Sequence, residues 1–398
     1  MSLLETIRQH AQSQAAEVIQ WRRHLHAHPE LSFQEVKTAQ FVADALSEMG
    51  LSPQTGIAGT GVVANVEGKN PARKIIALRA DMDALPIQEV NEVPYRSQNP
   101  GVMHACGHDV HTTSLLGTAR ILSKIRDQFE GTVKLIFQPG EEKNPGGASL
   151  MIRDGVLKNP APSGIIGQHV MPLLPVGKVG FREGMYMASS DEIYLNVVGK
   201  GGHAGAPELL VDPVVIASHI LVALQQVVSR QANPRQATVL SFGKVIANGA
   251  TNIIPGEVSI AGTFRALDET WRAEGLRKIE AMAKGIAESM GGHCEVTISH
   301  GYPYLENNPD LTRRIRSAAE AYVGKENVVT LDLTLGSEDF AFYSHEIPAS
   351  FYRLGTRNES KHITSYVHTP TFDIDEDALA LGPGLMAWLA MRELDTPN

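Results

Sequence analysis

The chain has 398 residues, of which 43% are hydrophobic, a formal net charge of −9 and two cysteines. Its length exceeds what one hydrophobic core usually accommodates, so two domains are expected. The negative charge without a basic run argues against nucleic acid and anionic membranes as partners. No apolar stretch reaches the roughly 18 residues of a membrane span, and two cysteines give no disulfide framework, which predicts a cytoplasmic protein.

Helical and strand patterns alternate in the first part of the chain. Apolar residues recur at helical spacing over residues 2–28 and 35–49, and residues 61–66 and 74–78 have the pattern of short strands. The second strand leads to Asp81 and Asp83, at the edge where open α/β sheets gather ligand sites. A turn or a helix cap is the alternative role for these aspartates.

Residues 104–111, HACGHDVH, combine a cysteine, three histidines and an aspartate, and a helix over 110–125 follows. Cys106 and His108 are two positions apart, so in extended chain their side chains leave on the same side. A thiolate and an imidazole together suit zinc and its first-row neighbours. A buried cysteine beside a helix-capping histidine is the alternative for this pair taken alone.

Two further strands end in side chains that bind metals. The apolar run 132–137 leads to Glu141 and Glu142, and another run ends at His169. Because neighbouring side chains of an extended chain point to opposite sides, one glutamate could bind a metal while the other faces a substrate as a base. A solvated acidic turn and a satisfied histidine are the alternatives, but the coincidence of these strand ends with the Cys-His pair favours one metal site.

From residue 187 the pattern changes to the order β-α-β-β-α-β. The strands are predicted at 191–198, 237–245, 257–265 and 293–299, and the helices at 212–230 and 269–290. This order is that of the split βαβ unit of ferredoxin-like domains. We therefore predict an inserted domain at residues 187–299 within an α/β domain formed by residues 1–186 and 300–398, whose mixed sheet carries helices on both faces.

After residue 304 the chain returns to alternating helices and strands. Helices are predicted at 309–322 and 375–392, and strands at 328–334 and 351–354. Glu338 and Asp339 open a further helix, where they either cap it or line the site.

Nine short motifs occur in series along the chain: ADMDALP, HACGHDVHTT, FQPGEE, GQHV, GKGGHAGAP, NIIPG, GTFRA, GSEDFAF and HTPTFDI. In these motifs the chain resembles the metal-dependent amidohydrolases that include bacterial aminoacylases, hippurate hydrolases and plant indole-acetyl-amino-acid hydrolases, within the clan of carboxypeptidase G-like metallopeptidases. The resemblance implies a catalytic domain that binds two divalent ions per subunit, of zinc, manganese, cobalt or nickel. It also implies a homodimer formed through the inserted lid or dimerisation domain.

The resemblance implies roles for particular residues. The metal ligands of the family match Cys106, His108, Glu142, His169 and His368. The general base of the family matches Glu141, and His203 matches a histidine that stabilises the oxyanion in its own or in the partner subunit's site. Asn252 and Arg265 resemble positions that contact the carboxylate or amide of the substrate.

The expected function is hydrolysis of N-acyl amino acids to a carboxylate and a free amino acid. A dipeptidase or carboxypeptidase acting through the same site is the alternative among enzymes. A binding protein that keeps a metal without turnover is the alternative of another class, and the presence of both Glu141 and His203 argues against it. A cysteine-protease role for Cys106 is disfavoured because the glutamates at the strand end would then have no function.

Overall fold

The computed structural model describes residues 2–396, which divide into two compact units. Unit 1 comprises the described residues up to Tyr186, the segment Glu306–Leu333 and the described residues from Asp339 onward. Unit 2 comprises Met187–Leu305 and Thr334–Glu338. The assignment of catalytic and lid functions to the predicted domains stays a prediction.

Helices and strands alternate through most of the chain. The helices are α1 (Leu3–Ala27), α2 (Val36–Glu48), α3 (His108–Lys124), α4 (Gly147–Arg153), α5 (Pro213–Gln226), α6 (Glu269–Ser289), α7 (Pro309–Val323), α8 (Ala341–Glu346) and α9 (Asp377–Leu394). The strands are β1 (Gln54–Ile57), β2 (Gly61–Glu67), β3 (Ile75–Asp81), β4 (Thr132–Gln138), β5 (Ile165–Pro175), β6 (Val179–Phe181), β7 (Gly184–Met187), β8 (Asp191–Val198), β9 (Gly202–His203), β10 (Val239–Ile246), β11 (Ile253–Ile254), β12 (Glu257–Arg265), β13 (His293–His300), β14 (Leu305–Asn307), β15 (Val328–Thr330) and β16 (Ala349–Arg357).

Unit 1 is built on a mixed sheet of eight strands in the order β1-β2-β4-β3-β5-β16-β6-β15. The four central strands β4, β3, β5 and β16 are parallel to one another, and β2 and β6 pair antiparallel with the two outer strands of this group, β4 and β16. Parallel strands end at the same edge of a sheet, which is where ligands bind in open α/β folds. The predicted α/β class with a mixed sheet is confirmed.

The two faces of this sheet differ in chemistry. One face is apolar, with Leu78 and Leu135 in a core shared with helices α1, α3 and α9. The other face carries the buried Arg79 and Gln138, which both bind Asp339, and Asp339 in turn accepts the backbone N–H of Ala148 in α4. A buried charge of this kind is stable only when it is paired and hydrogen-bonded.

Unit 2 contains a four-stranded antiparallel sheet in the order β10-β12-β8-β13. Helices α5 and α6 follow its first and third strands in chain order, which is the predicted split βαβ arrangement. The two helices pack on the sheet through one core that includes Ile193, Ile220, Phe264 and Ile279. The ferredoxin-like prediction for this unit is confirmed.

One helical stretch of unit 2, Pro213–Gln231, has the length and mean hydropathy of a membrane-spanning helix, which differs from the prediction that no such stretch is present. Its residues Ile216, Ile220 and Leu224 are buried in the core against the four-stranded sheet. Core helices of soluble proteins have the same composition. This packing accounts for the buried face, which is 33% of the stretch.

The predicted elements differ from the structure mainly where elements are short. The strand predicted at 328–334 is only Val328–Thr330, and helix α4 and the strands β6 and β7 were not predicted. Elements of three to seven residues complete too few turns or alternations for a periodic pattern to show.

Candidate metal centre

The Cys-His pair lies on a turn that leads directly into helix α3. Cys106 precedes Gly107, whose φ of 81° is left-handed, and His108 is the first residue of the helix. A Cβ atom on Gly107 would lie 2.6 Å from Val170 Cγ2, so glycine alone fits between the turn and strand β5. Close packing of the turn against Val170 therefore fixes where the pair of side chains points.

The five predicted ligands meet in two overlapping groups. One group contains Cys106, His108 and His169, and the other contains Cys106, Glu142 and His368. Within each group the candidate ligand atoms lie within 4.8 Å of one another. The thiol of Cys106 belongs to both groups, so the five side chains form one connected cluster of metal-binding donors.

A buried carboxylate orients the imidazole of His108. Its Nδ1 atom lies 3.1 Å from Oδ1 of Asp83, just beyond the end of β3. Its Nε2 atom is buried and has no hydrogen-bond partner among residues 2–396. An unpaired buried nitrogen costs free energy, and a divalent ion is the partner that this mixture of nitrogen, sulfur and oxygen donors fits.

The imidazole of His169 is oriented by the backbone. Its Nδ1 atom lies 2.7 Å from the carbonyl oxygen of Val170, which only accepts, so Nδ1 carries the ring proton. Its Nε2 atom then offers a lone pair, 3.4 Å from Sγ of Cys106. Ligating histidines donate their second N–H in this manner.

His368 reaches the site from the loop that precedes helix α9. Its φ of 61° is left-handed, which is strained for a residue with a side chain, and its backbone N–H donates to the carbonyl of Ala105 at 2.7 Å. Its Nε2 atom lies 3.1 Å from Oε1 of Glu142, and half of its side chain (51%) is exposed. The hydrogen bond from His368 to Ala105 thus connects this loop to the turn that carries Cys106.

Burial and neighbouring charges shift the pKa values of two of the predicted ligands in opposite directions. Burial, followed by the charge of Glu142, raises the pKa of the Cys106 thiol. Burial and the nearby Arg353 guanidinium lower the pKa of His169, which keeps its imidazole neutral as metal ligation requires. A thiol whose pKa is raised becomes a thiolate when a divalent ion binds it.

Glu141 and Glu142 lie in a turn beyond Gln138, the last residue of β4. The prediction that they point to opposite sides does not apply, because it assumed extended chain. One oxygen of each lies within 4.8 Å of the other and of a nitrogen of His108. Oε1 of Glu141 also accepts the backbone N–H of Asp339 at 3.3 Å. Both carboxylates are therefore available to the same site.

Two buried carboxylates hold the backbone on either side of Glu141. Oε1 of Glu35 accepts the N–H of Gly140 at 2.8 Å, and Oδ2 of Asp83 accepts the N–H of Glu142 at 2.9 Å. Hydrogen bonds from a backbone N–H to a charged acceptor are stronger than neutral ones. Glu35 and Asp83 therefore fix the backbone of the turn that carries Glu141.

We expect the substitution Gly140→Ala to destabilise the protein by about 2–4 kcal/mol, as the sum of a left-handed backbone and a steric overlap. The φ of Gly140 is 59°, and an added Cβ would lie 2.3 Å from Cε1 of Phe33. Either the Phe33 ring or the turn that carries Glu141 must then shift, and a shift of the turn should lower kcat as well. Urea unfolding and steady-state kinetics measure the two effects.

Gly50→Ala is the matched control. Gly50 has a φ of 75° and no atom within 4 Å of an added Cβ, so this variant has the backbone cost without the overlap. Equal destabilisation of the two variants, with kcat unchanged in both, would contradict the role assigned to the contact between Gly140 and Phe33.

The other predicted residues lie in unit 2. His203 is exposed, and its Nδ1 atom accepts the N–H of Gly205 at 3.0 Å. Asn252 is exposed beside it, where its carbonyl accepts the N–H of Ala204. Arg265 is partly buried and donates from Nη1 to the carbonyl of Leu335 at 2.9 Å. The roles of His203, Asn252 and Arg265 stay predictions.

Sequence reasoning did not identify Glu35 or Arg79 as parts of the site. Arg79 binds Asp81 and Asp339 at 2.5 and 2.7 Å, and it is a charged residue within the apolar strand β3. A charged residue within an otherwise apolar strand indicates that the charge is buried and paired with acidic side chains. Glu35 gives no such signal, because an acidic residue at the start of a helix is ordinary.

Comparison with known proteins gives consistent results. The profile of Peptidase family M20/M25/M40 matches residues 77–392. An N-acyl-L-amino acid amidohydrolase of Geobacillus stearothermophilus is 46% identical over 286 residues, which cover 72% of this chain and 76% of the relative. Thermostable carboxypeptidase 2 of Saccharolobus solfataricus is 37% identical over 395 residues, which cover 98% of this chain and 99% of the relative.

A solved structure has the same fold. The YXEP protein of Bacillus subtilis, described as a dinuclear metal-binding peptidase of the M20 family, has a TM-score of 0.82 at 36% identity, with coverage of 96% of this chain and 99% of that chain.

Proposed function

This chain belongs to peptidase family M20/M25/M40, the metal-dependent amidohydrolases and peptidases, and we propose that it cleaves N-acyl amino acids to a carboxylate and a free amino acid. The observation that carries the proposal is the convergence of five donor side chains beside the buried carboxylate of Glu141. The similarity to an N-acyl-L-amino acid amidohydrolase supports the substrate class.

The ligand roles are part of the proposal. Cys106, His108, Glu142, His169 and His368 would hold two divalent ions, and the mixed donor set suits zinc, manganese, cobalt or nickel. When bound, the ions would polarise the amide carbonyl and acidify the attacking water. The side chains of the protein then have to move protons and stabilise the developing negative charge.

Glu141 is the proposed general base. Its carboxylate would take the proton from the attacking water and pass it to the leaving amine, a role for which burial and a fixed backbone are suited. His203 would donate to the oxyanion, in its own or in the partner subunit's site. Asn252 and Arg265 would contact the carboxylate or amide of the substrate.

The proposed assembly is a homodimer formed through unit 2. Val214, Val215 and Val222 of α5 are exposed by 37%, 46% and 76%. Strand β10 is an edge of the four-stranded sheet and exposes Val245 and Ile246. A second copy of the chain would cover both the apolar helix face and the open strand edge in one symmetric contact. The two free, buried cysteines fit the proposed cytoplasmic location.

The test is incubation of the metal-loaded protein with acetyl, benzoyl and aryl-acetyl amino acids and with dipeptides, followed by identification of the products. We expect one organic acid and one amino acid in equal amounts. Chelation should abolish the activity, and Zn²⁺, Mn²⁺ or Co²⁺ should restore it.

The other outcomes distinguish the alternatives. Release of two amino acids from dipeptides alone would identify a dipeptidase or carboxypeptidase, the second candidate, which the similarity to a thermostable carboxypeptidase supports. Absence of turnover by metal-loaded protein would favour a binding protein. Full activity after complete removal of metal would overturn the proposed mechanism.

A further inference from the structure

The peptide group of Val170 is a structural link between His169 and the rest of the site. Its carbonyl accepts the Nδ1 proton of His169 and thereby selects the tautomer whose Nε2 atom faces Cys106. Its side chain packs on Gly107, between the predicted ligands Cys106 and His108. A contact that holds the Val170 peptide in place therefore also sets the direction in which the Nε2 lone pair of His169 points.

The backbone N–H of Val170 has no strand partner on the β3 side. The pairing of β3 with β5 ends at Arg79 and Gly167, three residues before Val170. The residue is buried, so an unpaired N–H there would cost the free energy of a lost hydrogen bond. Nε2 of His111 accepts this N–H at 2.8 Å and continues the hydrogen bonding past the end of the ladder.

Both ring nitrogens of His111 are therefore engaged. Since Nε2 accepts a proton donor, Nδ1 carries the ring proton and donates it to Oδ1 of Asp81 at 2.6 Å. Oδ2 of Asp81 accepts from Arg79 at 2.5 Å. His111 lies in a cluster with Asp81 and His108 that could hold a metal by distance alone. A ring with no free lone pair does not coordinate an ion.

We propose that His111 is a positioning residue for the metal centre. It fixes the Val170 peptide and, through that peptide, the tautomer and direction of His169, and so it sets the affinity of the His169 side of the site for a divalent ion. The inference rests on the proposed function in one respect, which is that His169 is a ligand. His111 itself touches neither metal nor substrate.

The test compares His111→Phe with His111→Gln. Phenylalanine keeps the ring shape but neither donates nor accepts, whereas a glutamine amide can donate to Asp81 and accept from Val170. We expect His111→Phe to weaken Co²⁺ binding at one of two sites by roughly 10–100-fold, as loss of an outer-shell partner does. His111→Gln should stay within a few-fold of wild type. Calorimetric titration of the apoprotein measures the affinities.

A double-mutant cycle separates positioning from general destabilisation. His169→Ala removes the ligand, so adding His111→Phe to it should cause no further loss of Co²⁺ affinity. An equal loss in both backgrounds, or no loss in wild type, would overturn the inference. If His169→Ala itself leaves Co²⁺ binding unchanged, the ligand assignment of His169 fails and the inference fails with it, whereas the proposed hydrolysis is decided separately by the substrate panel.

A spectroscopic measurement does not depend on the folding of any variant. Nitrogen-15 NMR of wild-type apoprotein should show His111 as the neutral tautomer protonated at Nδ1, the opposite of the form usually preferred in solution. Detection of a proton on Nε2 would overturn the inference.

Discussion

Glu141→Gln is expected to abolish turnover while both metal ions remain bound. Glutamine has the shape of glutamate but cannot take up a proton from water, and general-base catalysis contributes roughly 10²–10⁴-fold to such reactions. Glu141 is buried, and both neighbouring backbone N–H groups are held by other carboxylates, so the substitution should leave the turn in place. Measurement of kcat and of metal content by atomic emission tests both parts of the expectation.

Glu142→Gln is the matched comparison, because the two carboxylates are adjacent and lie within 4.8 Å of the same histidine. Glu142 is the proposed ligand, so its substitution should lower metal content as well as kcat. If Glu141→Gln lost metal and Glu142→Gln kept it, the two roles would have to be exchanged. Substantial kcat in Glu141→Gln with full metal content would remove the base assignment altogether.

The convergence of the five predicted ligands follows only in part from a rule that sequence can use. Parallel strands of one sheet bring Glu142, which follows β4, close to His169, which lies within β5. Cys106 and His108 come instead from the start of α3, and His368 comes from the loop before α9. The sequence predicted the strands, but not their order in the sheet. Strand order depends on contacts between distant segments, which periodicity does not report. The resemblance of the nine motifs to a metal-dependent family was therefore needed to predict that the ligands lie together.

The groups that orient the ligands were less accessible to sequence analysis. His111 belongs to the motif at residues 104–111, but its role depends on which atoms face its two ring nitrogens. Those distances of 2.6 and 2.8 Å join helix α3 to the end of β3 and to the middle of β5. No local pattern specifies contacts of this precision, because they arise only once the sheet and helix have packed together.

Buried acids form the common element around the predicted ligands. Asp83 binds His108 and the backbone of Glu142, Asp81 binds His111, and Glu35 binds the backbone before Glu141. Each would be costly to bury without the hydrogen bonds that it accepts. These acids therefore fix side-chain directions and backbone positions around the predicted metal ligands.

His203→Ala is expected to lower kcat by about 10²–10³-fold, the effect of removing one donor to an oxyanion. Because Gly205 donates its N–H to Nδ1 of His203, the ring proton is on Nε2, where it can be donated to a substrate oxygen. His203 belongs to no candidate metal group among residues 2–396, so metal content should not change. His293→Ala, at another exposed position in unit 2, is the control and should keep its kcat.

Mixing the Glu141→Gln and His203→Ala proteins distinguishes the two proposed positions of His203. If the histidine acts across a dimer, a mixed dimer contains one site with both an intact Glu141 and an intact His203, and activity should return after subunit exchange. If it acts within its own subunit, each site lacks one group and the mixture stays inactive. An unchanged kcat in His203→Ala alone would exclude both arrangements, because a donor to the oxyanion cannot be removed without raising the barrier.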